Sequence, residues 1–200
     1  MELTVRDRLL NEAVKFLWEH ESDKLRVSEI SDLTDVAVSG IYGHFQSRSG
    51  LIDEAYSKIQ NEIYDWIENR WTPLLAGISK TSDALAHLTS LTLDLEDAAL
   101  MERHRAMQLR ITANAVSRLS FRKTWNANQN AHIARMSELF HGLRSAGELS
   151  EDFTNEQIAW LLNSFYTIRA LHDLSEDHSF SDQDFVLTSL RLMSRLSKRG

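Results

Sequence analysis

Cysteine is absent from this chain. Disulfides, zinc–thiolate sites and cysteine nucleophiles are therefore excluded. Proline occurs once and glycine seven times in 200 residues. With so few breakers, long helices joined by short connections are predicted. No apolar run approaches the roughly 20 residues that span a bilayer, so no membrane partner is expected. The stretch Met1–Asp7 lacks the basic and apolar regions of a signal peptide, and a cytoplasmic protein is the expectation. A basic excess is also missing. The net charge of −7 excludes a nonspecific nucleic-acid coat but leaves room for a small local reading head.

Chemistry-bearing motifs are sparse. There is no glycine-rich phosphate loop. A di-iron helical bundle needs two Glu-x-x-His repeats, and Glu138-Leu139-Phe140-His141 is a single copy. Glu102-Arg103-His104 has no histidine four residues away to complete a zinc pair. No metal or cofactor is expected, and an enzyme ranks lowest among the functional readings.

What the chain does contain is helical periodicity. Thr4 and Asp7 resemble a capping box. Leu9, Leu10, Ala13, Val14 and Leu17 then mark a first amphipathic helix ending near His20. Val27, Ile30 and Leu33 mark a short second helix, and Thr34-Asp35 the turn after it. A third runs through Val36–Phe45. From Leu51 a fourth helix of four or five turns is predicted to stop at Trp71-Thr72-Pro73. Ser82 or Asp83 is positioned to cap a fifth, and Glu96-Asp97 to open a sixth that breaks between Asn114 and Arg122. A seventh is expected from about Lys123 to Ser145, with Gly147 as its left-handed cap. Thr154 opens an eighth, and Ser181-Asp182 a ninth ending near Lys198. The fold class predicted is all-α: a three-helix helix-turn-helix head over 1–48, then a six-helix body over 49–200. No period of 20–50 residues suggests a solenoid.

The stretch from Val36 to Leu51 organises the rest. Val36, Ile41 and Phe45 anchor one face; Ser39, Tyr42, His44 and Arg48 offer polar groups outward. One face on a core and the other toward a phosphate-rich partner is how a recognition helix looks. The order Val27, Ile30, Val36, Ile41-Tyr42, His44-Phe45, Ser47-Arg48 and Leu51 resembles the N-terminal signature of TetR-type transcriptional regulators. Tyr42-Gly43-His44-Phe45 is its most specific part. The motif covers roughly residues 5–55; beyond it the helical architecture alone matches.

The resemblance implies a homodimer whose two heads read a palindromic double-stranded DNA operator, each third helix in a major groove. Tyr42, His44 and Arg48 would contact phosphates. Ala37, Val38, Ser39, Gly40 and Gly43 would approach base edges, with Ser28 coming from the second helix. The sequence departs from the family pattern in several places. Asp35 replaces the turn glycine, which Asp tolerates because it can adopt a left-handed conformation. Ala37 stands where a serine cap is usual, a loss of around 1 kcal/mol for which Asp35 or Thr34 is expected to compensate. No Arg, Gln or Asn lies within 36–45, so the strongest bidentate base readers are missing. The first fifty residues carry six Arg or Lys against nine Asp or Glu, a net charge of −3.

The resemblance also implies a small-molecule effector between the middle helices. Trp66, His87, Leu91, His104, Met107, Gln108, Ile111, Trp125, His132, Phe165 and Arg169 combine apolar walls with polar tips, the usual makeup of such a site. Taken singly, each suits plain core, surface or seam better than a pocket wall. The last two helices resemble the family's dimer-forming pair, with Ile158, Leu161, Leu162, Phe165, Ile168, Phe185, Val186, Leu190 and Met193 as the interface. The leading reading is a repressor released from its operator by an effector. The alternative is a dimeric helical ligand- or protein-binding module whose acidic head binds DNA weakly or not at all.

Overall fold

Thr4 opens the first helix through the full capping box that its spacing with Asp7 predicts. In the computed structural model that helix, α1 (Val5–Glu19), buries Leu9, Ala13, Val14 and Leu17. The structure describes residues 3–75, 78, 80, 83, 98–174 and 181–193; within the helices, the side chains of 74, 75, 98, 182, 183, 186, 189, 190 and 193 lie outside that description. α2 (Val27–Thr34) and α3 (Val38–Phe45) follow. The long α4 (Arg48–Leu75) leads into α5 (Ala98–Ser117), α6 (Leu119–Glu138) and the short α7 (His141–Ser145). α8 (Asn155–Asp173) and α9 (Asp182–Met193) complete the described helices. The predicted fifth helix lies outside the described residues.

Two boundaries differ from the sequence reading. α4 does not stop at Pro73 but runs 28 residues, with Pro73 inside it. Pro73 has no N–H to donate to the carbonyl four residues back, so the ladder loses one bond there while the helix runs on to Leu75. The stretch from 119 to 145 is two helices rather than one, broken at Leu139-Phe140, with Phe140 buried. Gly147 does take the left-handed conformation, at φ 72°. Its N–H donates to the Arg144 carbonyl, and the Glu148 N–H to that of Leu143, which satisfies the last carbonyls of α7. Thr154 and Gln157 form a second capping box at α8.

One apolar cluster runs without interruption from Leu9 and Leu17 through Leu25, Ile30, Ile41 and Phe45 to Leu51, Ile59 and Ile63, then on to Met107, Ile111 and Phe121. Head and body therefore share a core. A second cluster joins Ile133, Met136, Phe140, Leu143 and Leu149 to Ile158, Ala159 and Leu162. α8 packs against both α5 and α6.

Candidate nucleic-acid interface and ligand cavity

The head is built around the turn between α2 and α3. Asp35 takes the left-handed conformation, φ 54° and ψ 40°, as its place in the glycine position requires. The Ser31 hydroxyl donates to the Val36 carbonyl at 2.7 Å and holds the turn closed. Ile41 and Phe45 are buried and Val36 packs on the same core. Ser28, Ala37, Val38, Ser39, Tyr42, Gly43 and His44 are exposed, and Gly40 is half-buried. The inward and outward faces of α3 thus follow the apolar spacing. Two glycines on this face differ in their surroundings. A Cβ on Gly40 would press on the Val36 side chain at 3.2 Å, whereas one on Gly43 would meet nothing within 4 Å.

Neither α2 nor α3 has a side-chain cap. The compensation expected from Thr34 or Asp35 is not made: the Thr34 hydroxyl donates back to the Ile30 carbonyl at 2.6 Å, and Asp35 closes α2 instead. First-turn N–H groups on both helices are left for solvent or an anion.

Arg48 departs from its expected role. Its Nε donates to the Leu25 carbonyl at 2.8 Å and its Nη2 to the Asp23 carbonyl at 2.9 Å and to that of Ser22. The guanidinium clasps the loop between α1 and α2 from the first residue of α4, rather than standing free for phosphate. The reason is geometric: a planar fork reaches several carbonyls at once.

The body contains a cavity of about 320 Å³ between α5, α6 and α8, with Tyr64 of α4 in its wall. Of the sequence candidates, Gln108 and Trp125 line it, and Ile168, assigned to the seam, lines it as well. The others in the described part are placed elsewhere. His104 lies between Trp18 and Trp66, with ring centroids at 5.6 and 4.9 Å. Met107 and Ile111 are buried in the first cluster and Trp66 packs against it. His132 stacks on Tyr64, with centroids 4.0 Å apart, and its Nδ1 lies 2.6 Å from Glu68. Phe165 packs on the second cluster, and Arg169 pairs with Asp173 at 2.7 Å. His87 and Leu91 lie outside the described residues.

Sequence reasoning missed Tyr64, Leu109, Thr112, Gln129, Trp160, Asn163, Ser164, Tyr166, Thr167 and Ala170 in the lining. A signal was available: Gln108 and Thr112 on α5, and Asn163, Ser164 and Thr167 on α8, recur at helical spacing and place small polar groups on single faces.

Around the cavity runs a buried polar chain. Asn128 donates to the Gln60 side chain at 3.1 Å, Gln60 donates to the Tyr64 hydroxyl at 3.1 Å, and that hydroxyl donates to Gln129. Burial pushes the Tyr64 hydroxyl up from its ordinary 10 to about 12. Burial pulls His132 below its ordinary 6.5, against the opposing pull of Glu68. Both shifts favour neutral forms, so the signs are opposite along the pH axis. The Tyr64 contribution is fully present below pH 10 and is lost as pH rises toward about 12. The His132 contribution is lost as pH falls below 6.5. Thermal melts across the alkaline range should show a falling midpoint, with a shallower decline in Tyr64→Phe.

The seam residues divide. Ile158 and Leu162 belong to the second cluster inside one subunit, and Phe185 is 7% exposed. Ile158 and Leu162 are interior because α8 turns that stripe toward α6 and α7, and Phe185 of α9 is covered by His172 and Arg169 of α8. Leu161 and Ile168 are exposed, as are Trp160, Leu171, Leu187 and Leu192. Val186, Leu190 and Met193 have side chains outside the description. The outward stripe of α9 is therefore marked by Leu187 and Leu192 rather than by Phe185. Among the described residues, no helix is long and apolar enough to cross a membrane.

No family model and no curated relative matches the sequence. Solved structures do match over nearly the whole chain. A Mesorhizobium loti protein assigned to the TetR family of transcriptional regulators superposes with a TM-score of 0.73 at 18% identity, covering 98% of this chain and 97% of its own. Salmonella enterica GusR gives 0.66 at 20% identity, over 96% and 94%. A Saccharomonospora viridis protein assigned as a transcriptional regulator, solved in complex with choline, gives 0.68 at 15% identity over 97% and 98%. The chain has the fold of TetR-type regulators: a helix-turn-helix head on a helical body.

Proposed function

We propose that the protein is a dimeric DNA-binding transcriptional regulator, a repressor released from a palindromic operator by a small molecule in the body. The observation that carries this reading is the exposed face of α3 beside two helix N-termini without side-chain caps. Backbone N–H groups there suit phosphate oxygens. Tyr42 and His44 add side-chain donors, while Ala37, Val38, Ser39, Gly40, Gly43 and Ser28 supply close fit and methyl contacts at base edges. The two copies join through exposed apolar side chains of α8 and α9, including Leu161, Leu171, Leu187 and Leu192. The head is residues 1–48 and the body 49–200.

Release runs through α5. One face of this helix lines the cavity with Gln108, Leu109 and Thr112. Elsewhere along it, Arg110 pairs with Glu21 of the head at 3.0 Å, and Asn114 donates to Asp53 near the start of α4 at 3.3 Å. Arg118, just beyond α5, pairs with the same Asp53 at 2.9 Å. A ligand that shifts α5 therefore moves groups tied to both the head loop and the α4 hinge. Two conformations with different affinity for the ligand suffice for the response.

Gly43→Ala separates folding from binding. A methyl there fits without contact, so helix propensity alone predicts a gain of about 0.5–1 kcal/mol in stability. Operator affinity should instead fall about tenfold or more, because the methyl occupies the approach to the groove. Melting and gel-shift titration of the same preparation check both. Affinity that rises with stability would move the interface off this face.

A further inference from the structure

The cavity reads as the effector site, and the inference drawn here rests on that reading. Its described lining is without formal charge. Charged groups close to it are already paired. Arg105 bonds Asp173, which also pairs with Arg169, and Glu68 is shared by His132 and Arg135. A charged ligand entering would lose its hydration without gaining a counter-charge. Four aromatic residues, Tyr64, Trp125, Trp160 and Tyr166, stand in the wall. Tyr64 already has hydrogen-bond partners in Gln60 and Gln129. The Trp125 indole N–H and the Tyr166 hydroxyl are buried with no hydrogen-bond partner among the described residues. An unsatisfied buried donor costs about 1–3 kcal/mol, and an acceptor brought by a ligand would remove that cost.

We propose that the cavity takes an uncharged, flat molecule of one or two fused rings carrying an acceptor oxygen, a ketone, lactone or amide, that bonds the Trp125 N–H and the Tyr166 hydroxyl. The observation behind it is the coincidence of an uncharged aromatic lining with two unpartnered donors on lining residues. The molecule is selected by shape against the rings and by its acceptor, and charge of either sign is rejected.

Calorimetric titration of the full chain without DNA tests this with matched probes. The neutral acceptors are coumarin, 1-tetralone and 2-naphthamide; naphthalene has the shape without the acceptor; 2-naphthoate and trimethylphenylammonium carry charge. At least one neutral acceptor should bind at least tenfold more tightly than naphthalene and than both ions. Trp125→Phe and Tyr166→Phe should each weaken that binding about tenfold. Tyr166→Phe should melt no lower than the parent, since it removes an unsatisfied hydroxyl; a residue with a merely structural role would lower both. Preference for either ion, loss of binding in neither variant, or no binding by any neutral probe overturns the proposal. The same probes are then added to the operator complex. Binding with the predicted preference but without DNA release supports the ligand class and overturns the effector reading. Release by an ion alone does the reverse.

Discussion

Gly50→Ala is expected to cost about 3 kcal/mol, the upper part of the range for overpacking, and to lower the melting midpoint by about 10 °C. A Cβ at this position would sit far inside contact distance of the Phe45 carbonyl oxygen, with the Ser47 hydroxyl also close at 3.5 Å. The hydroxyl is at ordinary contact distance, but the carbonyl cannot step aside cheaply. The Phe45 carbonyl belongs to the last turn of α3, and it accepts the Ser47 N–H at 2.7 Å. Gln46, between them, is already at φ 64°. The joint between the proposed recognition helix and α4 is therefore built on the missing side chain of Gly50. Operator affinity should fall together with stability, which contrasts with the opposite movements predicted for Gly43→Ala. A melt of Gly50→Ala within two degrees of the parent would show that the joint relaxes freely.

Arg48→Ala is the second large effect, at about 2–3 kcal/mol of stability. Three carbonyls of the α1–α2 loop lose a charged donor, and hydrogen bonds to charged groups are worth about 1.5–3 kcal/mol each before solvent takes over the exposed ones. Leu25, whose carbonyl is among them, is fully buried. Arg48→Lys should recover less than half, because an ammonium cannot reach several carbonyls with a planar fork. The salt dependence of operator binding separates this clasp from a phosphate contact. A clasp leaves the slope of log affinity against log salt unchanged while the melt falls. A phosphate contact lowers the slope by about one unit and leaves the melt alone.

That pair of outcomes marks where the sequence was legible. Which side chains of α3 point inward followed from the spacing of Val36, Ile41 and Phe45, because helical periodicity is local. The left-handed Asp35, the capping box at Thr4, the helix start at Thr154 and the Gly147 cap were legible for the same reason. Arg48 was not: its partners lie 23 to 26 residues away, and sequence spacing carries no information about which carbonyls a long side chain will find. The cavity shows the same limit. Met107 and Ile111 share an apolar stripe with plausible lining residues, but α5 turns them into the core and presents Gln108, Leu109 and Thr112 instead. The rotation of one helix against two neighbours decides that, and it depends on packing across the whole body. Likewise Ile158 and Leu162 look identical to Leu161 in a helical wheel until α6 and α7 are in place beneath them.

The central claim is that the exposed face of α3 reads DNA in a two-headed, symmetric arrangement. Selection from a pool of random duplexes by the purified full chain at moderate salt tests it most directly. An enriched inverted repeat, its half-sites about one helical turn apart or slightly more, is the predicted result, and its enrichment should weaken in Gly43→Ala. A pool in which no sequence outcompetes bulk DNA would contradict the claim, and would favour the acidic head as part of a ligand- or protein-binding module.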